Sequence, residues 1–213
     1  MRNLELITLI DLPAVANDFD TEWWGKISED PVEVTRIKML SSAINGLVPQ
    51  KIPSQFVPAN ALSDEQWEAI IRVHVVDVNI DESCAIFGGY GLRVDGSWWL
   101  MPQCCSTLAD IHSWNKVRSI IDDSNAEGTV SEHVFLSEGH PSPRIYREQN
   151  EIVFDCIDSE EVFFPETQKH FRLKCSELAV AIDTLSLEIN CIEKTLDNLA
   201  PVFQVKSLSH LIY

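Results

Sequence analysis

Basic residues are scarce in this sequence. Only 16 lysines and arginines stand against 33 aspartates and glutamates, which gives the 213-residue chain a formal net charge of −17. The acidic residues are spread along the chain rather than gathered in one block. Nucleic-acid binding through phosphates requires a basic face, and an anionic membrane surface would repel an acidic chain. We therefore expect no direct nucleic-acid or membrane binding, whereas a basic protein partner would be attracted.

Long apolar runs are also absent. No segment approaches the roughly 18 apolar residues that are needed to span a membrane. The partly apolar stretch from Leu4 to Ala16 is interrupted by Glu5 and Asp11, so it does not resemble a secretion signal. Six cysteines without such a signal are typical of reduced thiols, and we expect a cytoplasmic protein. Four of them stand singly in apolar surroundings and are expected to be small core residues: Cys84, Cys156, Cys175 and Cys191.

Motifs that bind metals or cofactors are missing. A structural zinc site is usually built from Cys-x2–4-Cys pairs, whereas Cys104 and Cys105 are adjacent and are expected to point in different directions. The glycine-rich stretch at 88–91 lacks the Lys-Ser/Thr ending of a phosphate-binding loop. We therefore expect no cofactor. Two loose groups contain metal-ligating residue types without a standard spacing: Cys104, Cys105 and His112, and His133, Glu138 and His140.

The hydrophobic pattern predicts strands and helices that mix without regular βαβ alternation. Ser63 and Gln66 have the spacing of a capping box, and Asp95-Gly96 is typical of a tight hairpin turn. Strands are expected at 4–10, 73–80, 84–94, 97–101, 130–136, 144–147 and 151–157, and helices from Asp30, after Ser63, at 107–122 and at 169–199. The last helix carries an apolar stripe that indicates a core face or, alternatively, a dimer seam. We predict one α+β domain over residues 1–213, with a mainly antiparallel sheet, flanking helices and a long C-terminal helix.

Three of the six tryptophans lie between residues 98 and 114. Trp98 and Trp99 are neighbours in a predicted strand, so they should face opposite sides of the sheet. One of them is expected in the core, and the other outward or under a loop. An outward tryptophan can anchor a protein interface. The candidate interaction residues are Trp98, Trp99, Trp114 and His140.

The same segment contains a possible nucleophile. Cys104 and Cys105 precede a predicted helix, whose N-terminus can lower the pKa of a thiol. His112 or His140 could then act as the base of a Cys–His hydrolase. No glycine follows the cysteines to form an oxyanion-binding turn, so we favour the interpretation that they pack between the hairpin and the helix.

This segment also resembles a pattern in uncharacterised bacterial proteins. Pro102, Cys104, Cys105, Leu108, Asp110 and Trp114 fit P-x-C-C-x-x-L-x-D-x-x-x-W, and residues 139–143 fit a later G-H-P-x-P. Such proteins resemble immunity-type or accessory proteins of bacterial contact-dependent toxin systems. The resemblance implies binding to another protein, and it supplies no catalytic residues.

We therefore expect a protein-binding protein rather than an enzyme, specifically an immunity-like inhibitor of a basic toxin or nuclease. One alternative is a hydrolase that uses Cys104 or Cys105 with His140. A second is a DNA mimic, whose carboxylates would lie on one face at phosphate-like spacing. The acidity could also serve solubility alone. A homodimer is compatible with the sequence.

Overall fold

The computed structural model describes residues 2–12, 56–75, 78–123, 134–135, 141–157, 161–163 and 167–213. Within these residues the chain has an α+β fold, with two antiparallel four-stranded sheets and three α-helices. The first sheet contains β1 (Leu4–Asp11), β2 (Phe56–Pro58), β3 (Gly88–Val94) and β4 (Ser97–Leu100). The second contains β5 (Val134–Phe135), β6 (Arg144–Glu148), β7 (Glu151–Asp155) and β8 (His170–Lys174). The helices are α1 (Asp64–His74), α2 (Ile111–Asp122) and α3 (Cys175–Leu199).

The first sheet has the strand order β2-β1-β3-β4. β1 pairs with β3 along its length, from Leu4 opposite Val94 onward. β3 and β4 form the predicted hairpin, and both turn residues, Asp95 and Gly96, have the positive φ that such turns require. β2 pairs only with residues 9–11 of β1. Among the described residues, the N-terminal part of β1 therefore has no strand on that side.

The main hydrophobic core joins the two sheets and the three helices. Trp114 of α2 is 1% exposed and packs against Phe154 of β7, which stacks on Phe171 of β8. The apolar stripe of α3 is buried in the same core, which confirms the core-face interpretation of that stripe. Its buried residues include Leu178, Ile182, Leu185, Ile189, Ile192 and Leu196.

Several local predictions are confirmed. Ser63 and Gln66 form the capping box, since the Gln66 N–H donates to the Ser63 hydroxyl and the Ser63 N–H donates to the Gln66 side chain. β6 and β7 form the second predicted hairpin around residues 149–150. The first strand, the helix that ends at Asp122 and the long C-terminal helix are also present. In the described part of the chain, no helix has both the length and the apolar character that crossing a membrane requires.

Other predictions are wrong in type or extent. Val73 and His74 do not begin a strand but belong to the last turn of α1, because Val73 continues the buried face of that helix. The final helix begins at Cys175 rather than at 169, since residues 170–174 alternate between exposed and buried and form β8. One predicted strand is shorter than expected, because it begins at Gly88 rather than at 84. Of the strand expected at 130–136, only Val134 and Phe135 are among the described residues, and they form β5. The predicted helix from Asp30 lies outside the described residues.

Candidate functional site

The two adjacent cysteines lie at the centre of a tight turn between β4 and α2. The Ser106 N–H donates to the Gln103 carbonyl at 3.2 Å, which places Cys104 and Cys105 at the two middle positions. Cys105 has a φ of 63°, in the left-handed region that the second of these positions often requires. The Gln103 N–H donates back to the Ser106 hydroxyl at 3.2 Å, and the Gly88 N–H donates to the Ser106 carbonyl at 3.0 Å. These bonds fix the turn and anchor it to the start of β3.

The turn brings the two thiols together at the surface. The sulfur atoms of Cys104 and Cys105 are 3.4 Å apart, and both residues are exposed. The prediction that these cysteines point in different directions is therefore wrong. They join the β3–β4 hairpin to α2 as expected, but their side chains are exposed and do not pack there. The hydrogen bond with Cys105, followed by partial burial and the negative charges of Glu161 and Asp11, raises the pKa of Cys104. The expected lowering of the thiol pKa by the following helix is thus not found at Cys104.

The other four cysteines differ in exposure. Burial raises the pKa of Cys156 to about 12 and also raises the pKa of Cys175, and both are core residues as predicted. Cys84 and Cys191 are exposed, so the prediction of core positions for them is wrong. Cys191 lies on the outer side of α3, next to the buried Ile192. An apolar neighbour in the sequence therefore did not imply that the cysteine side chain is buried.

The structure also contains a cysteine–histidine contact that the sequence analysis missed. His74 Nε2 lies 3.9 Å from the Cys84 sulfur, and the two residues are ten positions apart. The same nitrogen lies 2.8 Å from the Cys84 carbonyl oxygen. A carbonyl accepts only from an N–H, so this nitrogen carries a proton and cannot take the proton of the thiol. The contact is therefore not an activated nucleophile.

The candidate bases for Cys104 and Cys105 are not placed beside them within the described residues. His112 is exposed in the first turn of α2, where its ring lies 5.7 Å from the ring of Tyr213. In the described part of the chain, neither sulfur hydrogen-bonds to a histidine, and no three His, Cys, Asp or Glu residues are grouped as metal ligands. The remaining candidates lie outside the described residues: His133, Glu138 and His140.

Trp98 and Trp99 pack on opposite sides of the first sheet, as predicted. Trp99 contacts Phe171 edge to face at a centroid distance of 5.3 Å and packs on the main core. Trp98 packs on a second, smaller cluster, and its ring lies close to Gly91, where an added Cβ would be 2.6 Å away. Both are only partly exposed. Trp114 is buried and presents no surface to a partner, which corrects its expected role as an interaction residue.

A groove of about 530 Å³ lies beside the N-terminal part of β1. One wall is the outer side of α3, and Arg93 and Trp98 of the first sheet also contribute to the lining. Val180 and Leu187 of α3, two helical turns apart, are 65% and 67% exposed. The long helix therefore has two apolar sides, one in the core and one in the groove.

The edge of β1 in this groove carries backbone groups that β3 does not use. Antiparallel strands exchange hydrogen bonds at alternate residues. The Asp95 N–H donates to the Asn3 carbonyl at 2.8 Å, and this bond sets the alternation. The backbone groups of Leu4, Leu6 and Thr8 consequently face away from β3, on the side of β1 that β2 does not reach.

Glu188 of α3 places a carboxylate in the groove. Its Oε1 atom and the Thr8 hydroxyl are shielded from solvent, and among the described residues neither makes a hydrogen bond of normal geometry. Burial raises the pKa of Glu188, although the nearby hydroxyl and N–H of Thr8 lower it in part. The other groove carboxylate, Glu5, pairs with Arg93 at 2.9 Å. Glu188 has no cationic partner of this kind in the described part of the chain.

No protein-family model, curated protein or solved structure matches this chain. The resemblance to immunity-type proteins therefore stays a prediction. The hydrolase and DNA-mimic alternatives likewise stay predictions, as do the single domain and the homodimer.

Proposed function

We propose that this protein binds a basic protein partner through the groove between β1 and α3, as an immunity-like inhibitor of a basic toxin or nuclease. The observation that carries the proposal is the Glu188 carboxylate, which lies in the groove without a cation among the described residues. The net charge of −17 would attract a basic partner and accelerate its encounter. Six free cysteines, four of them exposed, support a cytoplasmic location, where thiols stay reduced.

The edge of β1 suits an extended segment of such a partner. An extended peptide can add a strand to an exposed sheet edge, where main-chain hydrogen bonds provide affinity and alternate side chains provide specificity. Leu4 and Leu6 offer the main-chain groups, and Val180 and Leu187 offer apolar surface beside them. A lysine or arginine of the added strand is the side chain that Glu188 would bind.

Charge pairing in the groove would contribute directly to affinity. Burial removes water from the Glu188 carboxylate and raises its pKa, so a cation from the partner would stabilise the ionised form. A hydrogen bond to a charged group contributes about 1.5–3 kcal/mol, and about 1.4 kcal/mol corresponds to a tenfold change in affinity. Removing this charge should therefore weaken binding by about tenfold or more.

A peptide titration tests the proposal. The ¹⁵N-labelled full chain is titrated with a short peptide of alternating lysine and valine, and the amide shifts of Leu4, Leu6 and Thr8 are followed by NMR. We expect saturable shifts at these amides, and an affinity about tenfold lower in Glu188→Gln. Glu193→Gln removes the same charge from the same helix but lies outside the groove lining. This control should change the affinity by less than about twofold.

Two further peptides separate strand addition from general charge attraction. A central proline removes a ladder hydrogen bond and should weaken binding, and glutamate in place of lysine should abolish it. Equal weakening in Glu188→Gln and Glu193→Gln would show that only net charge attracts the peptide. An absence of shifts along β1 would show that the groove does not accept a strand, whether another part of the chain or a second copy covers it.

A further inference from the structure

Cys104 and Cys105 present two thiols at one point of the surface. Their sulfur atoms are 3.4 Å apart, and both residues are exposed. No described histidine hydrogen-bonds to either sulfur, so the pair lacks the base of an activated nucleophile in the described part of the chain. We propose that Cys104 and Cys105 form a bidentate binding site for a trivalent arsenical, a thiophilic group that takes two thiolates. The site is independent of the groove.

Covalent geometry favours such a chelate over a disulfide. The Cα atoms of adjacent residues are about 3.8 Å apart, whereas a disulfide usually joins Cα atoms about 4.4–6.8 Å apart. A disulfide between Cys104 and Cys105 would therefore strain the turn. An atom that binds sulfur at about 2.3 Å, the length of a zinc–thiolate bond, bridges two sulfurs 3.4 Å apart with an angle of roughly 95° at that atom. This angle suits a pyramidal, three-coordinate centre such as trivalent arsenic.

The turn holds the two sulfurs in this arrangement before a ligand arrives. Gln103 and Ser106 exchange two hydrogen bonds around the cysteines, and Gly88 attaches the turn to β3. The left-handed backbone of Cys105 belongs to this turn geometry. A site that is already ordered loses less conformational entropy on binding than a flexible one.

Binding is a condensation in which nothing is oxidised or reduced. For an arsenical R–As(OH)2, two S–H bonds and two As–O bonds break, and two As–S bonds form. Each hydroxyl leaves with one thiol proton as water, arsenic stays trivalent, and R remains its third ligand. Soft thiolate ligands select soft centres over hard cations. Because the second thiol binds intramolecularly, the pair should exceed a single thiol in affinity by on the order of 100-fold or more.

The test treats the reduced full chain with phenylarsine oxide and reads the adduct by intact-mass spectrometry. Competition with 2,3-dimercaptopropanol gives the affinity, and maleimide labelling counts the thiols that remain free. We expect one phenylarsenic adduct that protects two thiols. Cys104→Ser and Cys105→Ser should each weaken binding by about 100-fold or more. Cys105→Asn serves as a second variant, since asparagine tolerates the left-handed backbone.

Two matched controls are the other exposed cysteines. Cys84→Ser and Cys191→Ser each remove a surface thiol that has no second cysteine beside it in sequence, and both should retain the adduct at full affinity. Full-affinity binding in Cys104→Ser or Cys105→Ser would overturn the proposal, as would the absence of an adduct on the wild-type protein. Purification of the pair as a disulfide that only dithiothreitol opens would also overturn it, because the turn would then favour oxidation over chelation.

Discussion

The cysteine turn and the groove differ in how completely their polar groups are paired. In the turn, Gln103 and Ser106 exchange two hydrogen bonds, and Gly88 adds a third from β3. In the groove, the Thr8 hydroxyl and one oxygen of Glu188 are shielded from water without a hydrogen bond of normal geometry among the described residues. Buried polar atoms without partners cost folding free energy.

This difference indicates two kinds of binding. Hydrogen bonds within the fold already hold the turn in place. A ligand there would bind the exposed sulfurs, and it would not supply partners to unpaired polar atoms. In the groove, buried polar atoms without hydrogen-bond partners lower the stability of the free protein. A partner's cation and main-chain groups would offset that loss. Substitutions in the turn should therefore reduce stability, whereas removal of charge in the groove should increase it.

The largest expected effect is at the anchor of the turn. Gly88 has a φ of 147°, and an added Cβ would lie 2.1 Å from the Leu9 carbonyl oxygen. Gly88→Ala should lower the free energy of unfolding by roughly 3 kcal/mol or more, through backbone strain and overpacking. Urea denaturation measures this loss. Gly96→Ala is the matched control, because φ is 83° but no atom lies within 4 Å of the added Cβ. It should cost about 1–2 kcal/mol, and equal losses in the two variants would contradict the clash at Gly88.

The next effect is inside the turn. Ser106 is 3% exposed, and its hydroxyl accepts the Gln103 N–H. Ser106→Ala leaves that N–H without its partner and should cost about 1–3 kcal/mol in urea denaturation. Ser119→Ala, which removes an exposed hydroxyl from α2, should stay within about 0.5 kcal/mol of wild type. A similar cost for both variants would show that the buried hydrogen bond does not hold the turn.

Features set by a few neighbouring residues could be predicted from the sequence. The Ser63–Gln66 capping box and the Asp95-Gly96 turn both formed where their spacing placed them. Segments whose pattern fits both the two-residue repeat of a strand and the 3.6-residue repeat of a helix were predicted less accurately. Residues 170–174 alternate strictly, but they precede a long helical stripe, and the stripe obscured the strand. At Val73 the β-branched composition favoured a strand, while continuation of the buried face of α1 favoured a helix.

The two candidate sites were harder to predict because they depend on contacts outside the local pattern. The sulfurs meet because Cys105 adopts a left-handed backbone, a conformation usually associated with glycine or asparagine. Glu188 carries no special signal in sequence, since it is one acidic residue beside the apolar stripe of α3. Its role arises only where α3 packs beside Thr8 of β1, 180 positions earlier in the chain. The exposed Val180 and Leu187 likewise look like core residues until the helix is packed.

The smallest expected effect is on the groove side, where Glu188→Gln should stabilise the protein. Burial raises the pKa of Glu188 above its ordinary value of 4.5. Between these two pKa values the folded state binds more protons than the unfolded state, so the free energy of unfolding of the wild type falls as pH rises. Glutamine does not titrate, and the variant should match the wild type below about pH 4 and exceed it near neutral pH. The gain should stay below about 1 kcal/mol, because the carboxylate is only partly buried.

Thr8→Val sharpens this last prediction, because the hydroxyl and N–H of Thr8 are the groups that lower the pKa of Glu188. Without the hydroxyl, the pKa of Glu188 should rise further, and the loss of stability with pH should extend to higher pH. Urea denaturation between pH 4 and 8 on Glu188→Gln, Thr8→Val and the double variant measures the coupling between the two positions. If Glu188→Gln is less stable than wild type at neutral pH, the carboxylate already has a cationic partner in the folded chain. The groove would then need no partner to stabilise its charge, and the contrast with the turn would disappear.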